Sequence, residues 1–360
     1  MNSQLIWLGG YVIAIVLALI FTPLLQTLLP FEHSTDDLRA ALLSDRLEGQ
    51  HPSVAVVLIN ENTLRKYEVK TQQPLDRKML ADILRRIEAT GARGIGMDIY
   101  FLRETDPVKD TLLVDTLKDL KRDVVLGVWD ERAPIETHQK DFQESFIATI
   151  RRRPVGYLNL RQELENGAIR YHALPAASRK YPDSFALQMA RLIDPNTLPA
   201  DGRRIAWLDR PRDRTKDAFV TIQAQDLGSG SQLANRVVLI GANFPKLDQH
   251  RTPFAALGAE KVPGVMIHAQ MTADLLAPDR SISEASTWAV RVLMIALAAL
   301  AAVLSVLSNC LPWRPILVHL GRWTAAVAIL VGINVLAFVY WRTTFPFVLC
   351  ALVWVIGFAA

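Results

Sequence analysis

From residue 30 to residue 287 the chain contains no cysteine. Its only two, Cys310 and Cys350, lie in or beside apolar segments near the end of the 360-residue sequence. A disulfide framework and a cysteine-based metal site are thereby excluded from the polar middle of the chain. A one-sided basic stripe is also missing. The formal net charge is only +4, and Lys and Arg are interspersed with acids, so the electrostatic footprint of a nucleic-acid binder is absent. The chain lacks a phosphate-cradling Walker loop, the G-x-G-x-x-G of dinucleotide folds, the G-x-S-x-G nucleophile elbow and the H-E-x-x-H zinc motif. It shows no internal repeat and no low-complexity tract.

What the sequence has in excess is apolar length. Hydrophobic residues make up 51% of it and mean hydropathy is +0.18, and the excess is concentrated in residues 5–30 and 288–360. Ile6 to Leu29 carries no charge and is long enough to span about 30 Å of hydrocarbon as a helix. The residues before it are not basic and no small-x-small cleavage site follows, which favours an uncleaved anchor over a signal peptide. Three further apolar segments, 288–307, 323–341 and 345–360, have Trp288, Trp323 and Trp341 at their ends, as interfacial aromatics do. The expected organisation is an anchor at 1–30, an extracytoplasmic domain at 31–287 and three transmembrane helices at 288–360. The expected fold class is an α/β external domain with a mostly parallel sheet, plus an α-helical transmembrane bundle.

Within the middle region, residues 31–51 read as an amphipathic helix. Val54 to Ile59 is a continuous apolar run, the pattern of a strand buried on both faces. Asp76 is placed to cap a helix running to about Thr90, ended by Gly91. Residues 94–101 form the next strand, with Asp98 near its end. Asp106-Pro107 opens a helix to about Lys121, and Val124 to Val128 is a third strand. Strands alternating with helices of this length indicate parallel βαβ units. Residues 155–160 and 167–171 read as an edge hairpin, 184–192 as a short helix, and 205–208 as a short strand.

The stretch Arg236 to Leu276 organises the rest. Val237 to Ile240 stops at Gly241 and reads as a buried strand. A polar loop follows, and Pro263-Gly264 opens a helix to about Leu276 with His268 in its early turns. In parallel α/β sheets ligands lie at the carboxyl ends of strands, so the loop falls where a site belongs. The candidate ligand-binding residues are Asn60, Asp98, Asn243, Asp248, His250 and His268. No catalytic residue, metal ligand or cofactor is assigned. The structural alternative for each is plain: polar side chains in turns and helices commonly cap or orient loops.

The segments SVAVVLINENTL (53–64), PLDR (74–77), GARGIGMDIYF (91–101), SFALQMA (184–190), RVVLIGA (236–242) and PGVMIHAQMTADLL (263–276), in that order, resemble the second class of CHASE domains, the cyclase/histidine-kinase-associated sensory extracellular modules. The resemblance implies a bacterial inner-membrane sensor, its large domain outside the cytoplasm, joined to a kinase or cyclase output. Its ligands are largely unknown, so it supplies no binding residues. This sequence contains no output domain, so the implied function is a non-enzymatic receptor module that signals across the membrane to a missing or separate partner. The alternatives are a structural docking subunit of an envelope complex and, more weakly, an external metal-dependent hydrolase using Asp98, Asp248 and His268. The implied partners are the lipid bilayer, a cytoplasmic signalling partner or envelope-complex subunits, and a second copy of the chain through Ala-rich helix faces such as residues 296–302.

Overall fold

The computed structural model describes residues 29–150, 153–163, 166–228, 231–309 and 315–359. These divide into two compact units, residues 44–281 and residues 29–43 with 282–359.

The first unit is built on a six-stranded sheet: β1 (Val54–Ile59), β2 (Gly94–Asp98), β3 (Asp123–Val128), β4 (Val155–Tyr157), β7 (Val220–Gln223) and β8 (Val237–Ala242). The order across the sheet is β4-β3-β2-β8-β1-β7, and every pair is parallel. Strand β8 is therefore central, with Val237–Ala242 along Val54–Ile59 on one side and Val237–Gly241 along Gly94–Asp98 on the other.

The apolar runs are continuous because both faces are covered. Ala55, Val57 and Ile59 of β1, with Val238 and Ile240 of β8, pack on α3 (Arg77–Ala89) and α4 (Pro107–Asp119) through Leu80, Ile83, Leu84, Leu113 and Leu117. Phe146 of α5 (Thr137–Thr149) joins the same core. The alternate residues Val54, Val56 and Leu58, with Val237 and Leu239, face the other way. There they meet Phe185 and Met189 of α6 (Phe185–Arg191) and Val265, Ala269 and Ala273 of α7 (Gly264–Leu275). The result is a three-layer α/β/α arrangement.

Asp76 accepts from Met79 N at 2.9 Å, which confirms it as the cap of α3. Other local expectations are corrected. The first described helix, α1 (Leu29–Leu43), stops at Leu43 instead of running to residue 51. Asp209 N donates to the Asp45 carbonyl at 3.0 Å and Arg280 Nε to the Asp45 carboxylate at 2.8 Å, so this segment is held in extended pairing. The edge hairpin has a different membership. Strand β4 pairs in parallel with β3, and it is β5 (Arg161–Gln162) that pairs antiparallel with β6 (Ile169–Tyr171). Residues 205–208 form no continuous strand; the pairing is limited to isolated bridges, Tyr171 to Arg204 just before the segment and Asp45 to Leu208 at its end.

In the second unit, α1 lies with α8 (Thr287–Asn309), α9 (Pro315–Trp341) and α10 (Phe347–Ala359). Helices occur where the C-terminal apolar segments predict them, but the transmembrane bundle is not supported. Among the described residues, no helix is long and apolar enough to cross a membrane. Helix α10, at 13 residues, reaches only about 20 Å against the roughly 30 Å of a hydrocarbon core. Part of the apolar surface is spent within the unit, where Met294, Leu297, Ala301, Leu330, Val353 and Trp354 are buried together. Val327, Val331, Leu336 and Val339 of α9 remain exposed. The N-terminal span expected at 6–29 falls, up to residue 28, outside the described residues.

The tightest backbone approach is at Gly156 in β4. A Cβ there would lie 2.5 Å from Phe185 Cα and 2.6 Å from Phe185 N, at the start of α6. Because these neighbours are backbone atoms, they do not rotate away. Gly156→Ala is expected to lower stability by about 1–3 kcal/mol, the usual cost of overpacking, in equilibrium urea unfolding. An unchanged midpoint would show that α6 can slide outward at this point.

Candidate functional site

The carboxyl ends of β2, β3, β4 and β8 open into a cavity of about 970 Å³. Ile99 and Tyr100 reach it from the end of β2, Trp129 from β3, Leu158 and Asn159 from β4, and Ala242 from β8. Asp98, Asp248, His250 and His268 all line it as well. Four of the six sequence candidates thus meet in one place, although they come from three separate stretches of chain.

Asp98 is the last residue of β2. Its side chain is 8% exposed, and its Oδ1 lies 3.9 Å from Nε2 of His268, which is 3% exposed. That distance is too long for a hydrogen bond, and Oδ2 has no hydrogen-bond partner. A buried ion pair without such bonds does not recover its desolvation cost, so both groups are pushed toward their neutral forms. Burial, and next the charge of Asp248, raise the Asp98 carboxyl well above the usual carboxylate range. Burial lowers His268 to about 4 against the pull of Asp248, with His250 and His172 adding to the depression. Phe185 meets the His268 ring edge-on at 5.2 Å.

Asp248 sits in the left-handed region at φ 53°, a conformation that Asp tolerates better than most residues. This turns its carboxylate toward the start of α7, where Oδ2 accepts from Gly264 N at 3.2 Å. A carboxylate at a helix N-terminus is favoured by the helix dipole. A Cβ at 264 would lie 2.4 Å from Asp248 Oδ2 and would displace that carboxylate. Asp248 Oδ1 is 2.7 Å from His250 Nε2, and His250 Nδ1 is 2.8 Å from Gln162 Nε2. The two contacts are satisfied together when Nε2 carries a hydrogen and Nδ1 accepts from Gln162.

The other two candidates serve the scaffold and do not line the cavity. Asn60 caps α2 (Glu61–Lys66) by accepting from Thr63 N at 3.0 Å, and it donates to Gln223 at 2.7 Å. Asn243 accepts from Gln249 Nε2 at 3.2 Å, bracing the loop after β8. Sequence reasoning missed Tyr100 and Trp129, an edge-to-face pair with ring centroids 5.1 Å apart. The available signal was position, since each follows a strand end. Among the described residues no group of three or more His, Cys, Asp or Glu is placed to hold a metal ion, so the metal-hydrolase alternative has no ligand set.

A family model for the CHASE2 domain matches residues 12–306. The chain belongs to the CHASE2 family. CHASE2 domains are sensory extracellular modules, which makes this chain a sensor module by class and fits a non-catalytic role. No curated protein matches the chain, and no solved structure does.

The buried histidines of this CHASE2 chain set a pH dependence with a definite sign. His51, like His268, is lowered by burial to about 4. Unfolded histidine titrates near 6.5, so below that pH the unfolded chain binds protons that the fold refuses. Stability from these two groups is present above about pH 6.5 and is lost as pH falls toward about 4. Asp98 acts in the opposite sense: its contribution is present below the ordinary carboxylate pKa and fades as pH rises through its raised value. His268→Gln is expected to reduce the acid-side loss of stability by about 2–3 kcal/mol, because each tenfold change in proton affinity is worth about 1.4 kcal/mol. Urea unfolding between pH 4 and pH 7 checks this. An unchanged acid slope would mean that His268 is charged in the fold.

Proposed function

We propose that this chain is an extracytoplasmic receptor module whose sensory site is the cavity at the carboxyl edge of β2, β3, β4 and β8. The observation that carries this reading is the convergence there of Asp98, Asp248, His250 and His268 on about 970 Å³ of space. The volume suits a small molecule. The loop after β8 and the second turn of α7 both contribute to the cavity through Asp248 and His268. A ligand that touches both restrains them together. It can bias the chain between two states only through a difference in affinity for those states.

The output of the bias belongs to the same proposal. It passes to a separate signalling partner, with the module held at the outer face of the bacterial inner membrane through the uncharged residues 6–29. The docking-subunit alternative predicts instead a constant protein partner and no small-molecule response.

The test is a melting-temperature screen of the full chain against small molecules of three charge classes: amines, carboxylic acids and alcohols. A ligand at about 100 times its Kd adds roughly 2.7 kcal/mol, a rise of roughly 5–10 °C for a unit of this size. The rise is expected to disappear in Leu247→Trp, which fills the cavity from its half-buried wall. A response that survives Leu247→Trp places the ligand elsewhere and contradicts the proposal, as does the absence of any response.

A further inference from the structure

Among the described residues, the cavity lining holds two carboxyl groups that have no Lys or Arg partner, Asp98 and Asp248, while three of its four guanidinium groups are paired with acids. Arg77 pairs with Asp110 at 3.3 Å and lies over the Phe101 ring at 4.5 Å. Arg132 pairs with Asp130 and lies over Tyr157 at 4.9 Å. Arg161 pairs with Glu163 at 3.1 Å and lies over Tyr171 at 4.5 Å. Arg103, at the exposed rim, donates to the Gln73 carbonyl at 3.4 Å. An anion entering beside Asp98 and Asp248 would therefore meet two acids, and of the four guanidinium groups in the lining only the exposed Arg103 is not paired with an acid.

A cation fits what is left over. Asp98 Oδ2 is a buried acceptor without a partner, in the lining of the cavity. A buried polar atom in this state carries a standing desolvation cost that a donor would remove. Asp248, in the same lining, acts on Asp98 by charge repulsion, and a positive group between them relieves it. A metal ion is a poor match, since no set of three ligating side chains converges among the described residues. Tyr100 and Trp129 add aromatic surface, whose π-faces attract ammonium ions.

We propose that the cavity takes an organic ammonium ion: a primary amine on an apolar or aromatic body. The ammonium offers three N–H donors, enough for Asp98 Oδ2 and the Asp248 carboxylate together. The body lies among Tyr100, Trp129, Leu158 and Leu247. This inference rests on the reading of the cavity as the sensory site and specifies the chemistry that the site selects.

The experiment uses three probes with one body and different head groups: 2-phenylethylamine, 2-phenylethanol and phenylacetate. Each is titrated into the full chain by calorimetry. The amine is expected to bind at least tenfold more tightly than the alcohol or the acid. Asp98→Asn keeps the size of the side chain and mimics its protonated form. It is expected to leave the ligand-free melting temperature unchanged or raised and to weaken amine binding at least tenfold. Asp248→Asn, at a side chain 45% exposed, is a second variant expected to fold and to weaken the amine. If the acid or alcohol binds as well as the amine, and Leu247→Trp blocks it, the ammonium assignment is overturned while the sensory cavity stands. Amine binding that is equally tight in both Asp variants overturns the assignment too, as does no binding of the amine.

Discussion

The position of β8 is the constraint on which the architecture depends. It is the last strand of the sheet in sequence, yet it lies at the centre, hydrogen-bonded to β1 and β2 on its two sides. About 180 residues separate it from β1, so the sheet stays incomplete until the chain has nearly finished its unit. Once β8 is in place, its far end delivers the loop with Asp248 and His250 beside Asp98 at the end of β2. The helix that follows, α7, places His268 under the same edge. The cavity is thus a consequence of inserting one strand between two others, and its walls come from segments far apart in sequence.

That geometry brings an electrostatic cost. Asp98 ends a strand whose other residues are apolar and buried, so its carboxyl is desolvated without hydrogen bonds to replace water. His268 is close, but at 3.9 Å it does not repair this, and burial keeps both groups toward neutrality. Asp248 is different because it has structural work, bonding Gly264 at the start of α7. One carboxylate is therefore fixed by the fold and the other is left waiting. Groups perturbed in this way cluster at functional sites, and a sensor has reason to keep one, since a ligand that satisfies it alters the balance of states.

Much of the scaffold was legible because its signals are local. Continuous apolar runs at 54–59 and 237–240 mark strands covered on both faces, and Asp76 and Asp106 mark helix starts through side-chain caps. The missing pieces are those set by tertiary context. Strand β7 is a four-residue edge strand with only one fully buried position, so no periodicity betrays it. Helix α5 has a weak apolar stripe, with only Gln143 and Phe146 buried. The hairpin was misread because Val155 to Tyr157 is apolar enough to join the main sheet, leaving Arg161 and Gln162 to pair with β6. Apolar length near the C-terminus predicted helices correctly and membrane spans incorrectly, since composition does not show how much apolar surface neighbouring helices take up. In the cavity, the polar loop residues stand out by type, whereas Tyr100 and Trp129 carry no polar signal and join the site only because the strand ends converge. Asn60 misled for the converse reason: a polar residue after a strand also suits a helix cap, and here that is its role.

The central claim is that Asp98 is a buried, unsatisfied carboxyl held for a positively charged ligand, with burial pushing it toward its neutral form when the cavity is empty. The most direct measurement is the infrared difference spectrum of the full chain with and without 2-phenylethylamine, recorded at about pH 6, where exposed carboxylates are ionised. The account predicts that a protonated-carboxyl band present in the free chain is lost when the ammonium ion binds, as Asp98 ionises and releases its proton to solvent, and that Asp98→Asn lacks the band from the start. A spectrum with no protonated carboxyl, or one whose band is unaffected by the amine, would contradict it.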